Sequence, residues 1–390
     1  MIKVIVASTI EVSDLDFAVS EITGHIKKEG PLLGNTVGLL FCNFEFIQSG
    51  LVKKLGGCLP FDIVGCTSQT FAVQNAGEDF MLTLMVLTSD DVEFSAGLSG
   101  PLHQGDEASL ETLYRDLMAR GKDPSLDTGL ILAFPPRLSA IPGNKVVDIL
   151  DRVSGGVPIF GSVALDITTV QRSPMTIFNG DHYPDLLVMV LLRGNVQPRF
   201  FSHSLPGETH LNRKFTITKA EGNRIISIEG KPAVKYMEEM GLINRTTMDV
   251  FYAFPLVVDY DNGESSRAFV ISQVDADDNS LISEQDIPQG GTANIGAING
   301  DLVMASTCGL IDQVKKTAGS CNGLLLVSCF SRTLALQDPL EEINLVIKRM
   351  RDWPVPFVFF SSGGEIYPEP NKKGELVNNF HQFTIVACVL

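Results

Sequence analysis

Two loops near the end of the chain carry residues that could hold a small charged molecule. Arg332 follows an apolar run that closes on Cys329, and Ser362-Gly363-Gly364-Glu365 follows a second run. A guanidinium can clamp a ligand carboxylate in a bidentate pair. Glu365, behind two glycines, could answer an ammonium group, so the set suits an amino acid or a similar zwitterion. The same residue types also allow Arg332 and Glu365 to pair with each other. Cys66-Thr67-Ser68 ends an earlier apolar run in the same way, and Ser162 ends another. A nucleophilic Cys66 would need a base, and no histidine stands near it in sequence. Small residues are also what a close turn from strand to loop demands.

Other chemistry is thinly marked. His25, His103, His182, His203, His210 and His381 stand singly, with no His-x-x-x-His or Cys-x-x-Cys pair to suggest a zinc site. Any one of them could serve as the single axial ligand of a haem. Asp275 to Asn279 imitates the start of a calcium loop, but Ser280 stands where glycine is needed and Asp286 where glutamate is. That stretch reads as a polar turn. No phosphate-binding glycine loop, His-Glu-x-x-His or Gly-x-Ser-x-Gly elbow occurs.

The elements that must position these loops repeat three times. Gly38–Phe44, Gly129–Pro135 and Gly323–Phe330 are short continuous apolar runs opening on glycine, the pattern of a buried strand. Helical patterns follow at about residues 45–55, 143–153 and 340–351. Second apolar runs then end in small residues at 61–69, 157–165 and 355–366, and a polar loop leads each time to a closing strand. The expected unit is β-α-β-loop-β, with a crossover helix long enough to make its flanking strands parallel. Each small-residue tip falls at the carboxyl end of a strand, where open α/β sheets bind ligands. Between the second and third units, residues 214–233 predict a hairpin turning at 221–223. A helix with Pro232 at its start and Gly241 at its end follows, then a hairpin turning at 277–279. A boundary near residue 215 divides the chain into halves, 1–215 and 216–390. The fold class expected is α/β, with mixed sheets flanked by helices.

Length and charge agree with this picture. The chain has 390 residues, 44% hydrophobic and 19% charged, enough for two or three domains. A formal charge of −16 without a basic cluster argues against nucleic acid as a partner. Apolar stretches such as 185–193 are too short for membrane insertion. Seven scattered cysteines, an odd number, fit free thiols in a reducing, cytoplasmic compartment better than a disulfide framework.

Several stretches resemble the FIST family of sensory domains. Ile63 to Ser68 is similar to the Gly-Cys-Ser/Thr motif of the FIST N-terminal domain, and Pro158 to Ser162, Thr218 to Ala220 and Gly230 to Ala233 are similar to its later blocks. Ser328 to Arg332, Ser362 to Ile366 and Asn378 resemble the Cys-x-x-Arg, Gly-Glu-Ile and late Asn blocks of the C-terminal domain. The resemblance spans nearly the whole chain, in the family's order. One departure is Gln69-Thr70-Phe71, where the family continues with small residues and glutamate. The resemblance implies a cytoplasmic, non-enzymatic module of signal transduction. Such a module binds a small ligand at Cys329, Arg332, Ser362 to Glu365 and Cys66 to Ser68, and acts on a histidine kinase or chemoreceptor. No cofactor is required, although a subset of the family implies haem and nitric-oxide sensing. A thiol-dependent enzyme using Cys66 or Cys329 is the other alternative.

Overall fold

The computed structural model describes the chain except residues 103–106, 139–140, 168–173, 205–212, 245–248, 251–254, 260–265, 320 and 372. The three crossovers are parallel, as the repeated pattern requires. Val37–Cys42 runs beside Asp62–Thr67, Ile131–Ala133 beside Ile159–Gly161, and Leu324–Cys329 beside Phe357–Ser362. These runs lack the alternation of a one-sided strand because helices cover one sheet face and the shared core covers the other. The first crossover helix differs from its expected span. It is two helices, Phe44–Gln48 and Leu51–Cys58, broken at Gly50, whose φ of 88° only glycine adopts without strain.

Each unit proves longer than the repeat legible in sequence. An edge strand and a helix precede it: Lys3–Thr9 with Leu15–Lys28, Val92–Leu98 with Glu107–Arg120, and Arg199–His203 with Gly300–Ala318. The closing strand then pairs between this edge strand and the first strand of the crossover. What reads as a polar loop is a hairpin that leaves its own unit. Gln69–Val73 of the first unit pairs with the Phe357–Ser362 strand of the third. Thr176–Phe178 of the second pairs with Asp62–Thr67 of the first, and Glu365-Ile366 of the third pairs with Gly161-Ser162 of the second. The exchange is cyclic, so each sheet is completed by its neighbour.

The inner faces of the three sheets share one core. Phe41 of the first unit stacks on Phe360 of the third, with centroids 3.9 Å apart, and meets the edge of Phe134 of the second at 5.3 Å. Outer faces carry separate helix-covered cores. From residue 215 to 295 the chain builds an inserted antiparallel sheet with its own core around Phe215, Ile225, Met237 and Leu281. Both hairpins expected there are present, with Glu221 opposite Arg224 and Asp275 opposite Ser280. Strands from either side of residue 215 share two of the three unit sheets. Among the described residues, no helix is long and apolar enough to cross a membrane.

Candidate functional site

The hairpin exchange brings the three small-residue tips together. Leu165 N donates to Thr67 O at 3.0 Å, joining the second tip to the first. Gly363 N donates to Val163 O and Val163 N to Gly364 O, each at 3.0 Å, joining the third tip to the second. Ser68 Oγ donates to Ser361 O, closing the ring. Thr67 Oγ1 accepts from Met175 N at 2.9 Å, and Ser68 N donates to Cys42 O at 2.9 Å. Thr67, Ser68, Ser362, Gly363, Gly364, Glu365 and Cys329 therefore border one junction of the two halves. Cys66 lies just behind it with its side chain in the shared core beside Phe41.

Two residues of this junction hold backbone that their side chains disfavour. Thr70 has φ 48° and Phe383 has φ 58°. A β-branched or bulky residue in the left-handed region is strained, and such strain concentrates at functional sites. Thr70 Oγ1 bonds Ser361 Oγ, and Phe383 lies beside Cys329, whose own amide donates to Thr384 O at 2.9 Å. Gly364 is required because a Cβ there would stand 2.2 Å from the Phe380 ring.

Glu365 is the chemically distinctive member. It is fully buried, opposite Ser162 in the strand pairing. Oε1 accepts from Ser362 Oγ, while Oε2 has no hydrogen-bond partner among the described residues. Burial drives its pKa well above the carboxylate range, opposed by Ser362, then by Arg332, the Thr384 amide and the Cys329 thiol. Its ionisation would cost stability, so the contribution of the neutral acid is complete below the ordinary glutamate pKa and is lost as the pH rises. Burial, then the neighbouring Glu365, push the Cys329 thiol up to about 12, and burial raises Cys66 as well. Neither has the depressed pKa of an activated thiolate.

Arg332 departs from its expected role. It is completely buried in the short Phe330–Thr333 helix, with all three guanidinium nitrogens engaged inside the protein. Nε donates to Ser328 Oγ at 3.0 Å and Nη1 to Ser306 Oγ at 2.9 Å. Nη2 reaches Glu342 Oε1 at 2.9 Å, Thr307 Oγ1 at 2.8 Å and Val303 O at 3.2 Å. Glu342, from the 340–350 helix, is the carboxylate it pairs with, not Glu365. The guanidinium thus ties two helices to the Leu324–Cys329 strand behind the junction and presents no clamp to a ligand.

The inserted sheet lies over the same end of the third unit. Arg267 Nη2 donates to Asn379 Oδ1 at 2.6 Å, and Val270 N to Gln382 Oε1 at 2.8 Å. Arg137 and Glu284 form an ion pair at 2.6 Å. These two border a small crevice with Val163, Gly143 and Phe380, next to Gly363 and Gly364. Sequence reasoning missed Thr70, Arg137, Glu284 and Phe383, which have no motif of their own.

Histidine separates by burial. His25 and His182 are exposed and His203 half-buried, while His103 and His210 lie outside the described residues. His381 is buried with its ring centroid 4.2 Å from that of Tyr367 and its Nε2 3.7 Å from Glu369 Oε1. Burial, then Arg267, lower its pKa to about 3. A haem iron at Nε2 of His381 would have to displace the Glu369 carboxylate. The unfolded imidazole takes a proton near pH 6.5 and the folded one does not until about pH 3. Stability from this group is therefore complete above pH 6.5 and lost as the pH falls. Melting temperature measured from pH 7 to pH 4 should drop less steeply in His381→Gln than in the native protein.

The sequence matches the family model of the FIST N domain over residues 36–231 and that of the FIST C domain over residues 233–368. The chain belongs to the FIST family. FIST domains are sensory domains of signal transduction. No curated protein matches the chain. The two matched regions meet beside the edge of the inserted sheet, and the FIST junction of tips draws on both.

Proposed function

We propose that this FIST protein is a cytoplasmic, non-enzymatic sensor of an amino acid or a similar ammonium-carboxylate ligand, with Glu365 as the anchor. The observation that supports this is the free Oε2 of a fully buried carboxyl at the meeting point of three strand tips. A buried oxygen without a partner costs stability, and a ligand ammonium would satisfy it while drawing the proton off Glu365. The ligand carboxylate takes Arg137, exchanging with Glu284. Cys329, Ser362, Gly363, Gly364, Thr67 and Ser68 form the wall, with Cys66 behind them. Losing the Arg137–Glu284 contact frees one tie of the inserted sheet, so the ligand favours a second conformation. A partner such as a histidine kinase or chemoreceptor responds by binding the two conformations differently.

Calorimetry with the twenty amino acids tests this reading. At least one should bind, with a heat that varies with the buffer because a proton is released. Glu365→Gln should weaken that ligand by about 1.5–3 kcal/mol, roughly 10- to 150-fold, the scale of a charged hydrogen bond. Equal binding by Glu365→Gln, or no binding across the set, would remove Glu365 as the anchor.

A further inference from the structure

The Lys3–Thr9 strand forms one edge of the first sheet, and among the described residues its single neighbour is Leu82–Ser89. Its seven residues pair without a register shift and include no proline, and its one charged residue, Lys3, stands at the start with Nζ on Glu29 O, so the edge from Val4 onward is not blunted. The far side of an edge strand carries amides and carbonyls that no neighbour uses. Beside it runs a groove of about 710 Å³, walled by this strand, by the Leu15–Lys28 helix and by the turn of the exchanged first-unit hairpin at Gln74-Asn75.

The repeat supplies its own comparison. In the second unit the corresponding edge strand is Val92–Leu98, and there Arg120 from the following helix donates to Ala96 O at 3.1 Å. One carbonyl in the middle of that edge is thus taken by the chain's own side chain, whereas the first-unit ties, Lys3 to Glu29 O and Thr9 to Glu21, lie at the strand's two ends. In the first unit the groove instead faces Gly24, an exposed residue in the interior of the helix. A Cβ at Gly24 would meet nothing within 4 Å among the described residues, whose packing does not require glycine. Glycine is the least favourable residue after proline in a helix interior, and it serves where a second backbone approaches closely.

We propose that this groove receives an extended segment of a partner protein, which adds as a strand to the Lys3–Thr9 edge and passes over Gly24. The geometry suits a segment of about six residues, the usual strand length. His25 and Lys28 stand toward one end of the helix wall with Glu29 beyond them, and Glu21 toward the other end accepts from Thr9 Oγ1 at 2.7 Å. The segment therefore carries an acidic residue facing His25 and Lys28. A main chain fits better than a second folded surface, because the free hydrogen-bonding groups and the missing side chain both accommodate backbone. The inference is independent of the ligand proposed above, and its test uses none.

A random twelve-residue peptide display selection against the full chain provides the probe. An enriched peptide, synthesised and measured by fluorescence anisotropy, should lose tenfold or more in affinity when every second amide is N-methylated. Methylation of the intervening amides should have little effect. Amides within residues 4–8 should exchange with deuterium at least tenfold more slowly when the peptide is bound. Gly24→Trp should fill the groove, weaken the peptide at least tenfold and leave the melting temperature unchanged. Failure to enrich a peptide, or an enriched peptide indifferent to Gly24→Trp, overturns the proposal. A dimer seen by light scattering without peptide and split by Gly24→Trp also overturns it, because the edge then belongs to a second copy.

Discussion

Arg332→Ala should destabilise the protein by about 3–5 kcal/mol, the cost of removing one partner from a buried ion pair. Glu342 is only 2% exposed, and the alanine variant would leave its carboxylate without a counter-charge. Thr307 and Ser328 still donate to it, at 2.5 Å and 3.1 Å, but two hydroxyls do not replace a guanidinium. Glu342→Leu should be comparably harmful, because it strands the arginine instead. Arg332→Met combined with Glu342→Leu removes both charges at similar volume and should cost much less than the two single changes added together. Urea denaturation followed by fluorescence and by circular dichroism measures all of these. A stable Arg332→Ala variant that fails to bind an amino acid would restore the guanidinium as a ligand clamp.

Gly65→Ala and Gly161→Ala should each cost more than about 4 kcal/mol, the range reserved for severe packing faults, or prevent folding altogether. A Cβ on Gly65 would stand 1.7 Å from Leu40 O, and one on Gly161 would stand 1.8 Å from Ala133 O. Both obstacles are main chain in the adjacent parallel strand, so no side-chain rotation relieves them. The two glycines occupy corresponding places in the first and second units, just before the tips. Gly57→Ala is the control: its Cβ meets nothing within 4 Å inside a helix, and it should be neutral or slightly stabilising. Soluble yield and melting temperature decide the matter. Near-native stability of Gly65→Ala would mean that the two strands can separate, and that the tip junction is more pliant than its hydrogen bonds imply.

The sequence by itself determined the three parallel crossovers, the small residues at their tips and the family. Those features are local: continuous apolar runs, crossover lengths and glycine positions follow from neighbouring residues alone. The two hairpins of the inserted sheet were legible for the same reason, since Gly222-Asn223 and Asp277 to Asn279 are turn chemistry. Tertiary structure decided where the exchanged hairpins go. Gln69–Val73 falls in what reads as a polar loop, and only packing around Phe41 and Phe360 makes it a strand of the third sheet. The tips consequently meet, which no tip's own sequence records. Tertiary structure also chose the partner of Arg332. Glu342 and Glu365 are both carboxylates within reach along the chain, and the choice depends on which face of the 340–350 helix is buried. Once that face turned Glu342 toward Arg332, Glu365 was left buried with an oxygen free, because burial and pairing are properties of the assembled sheets.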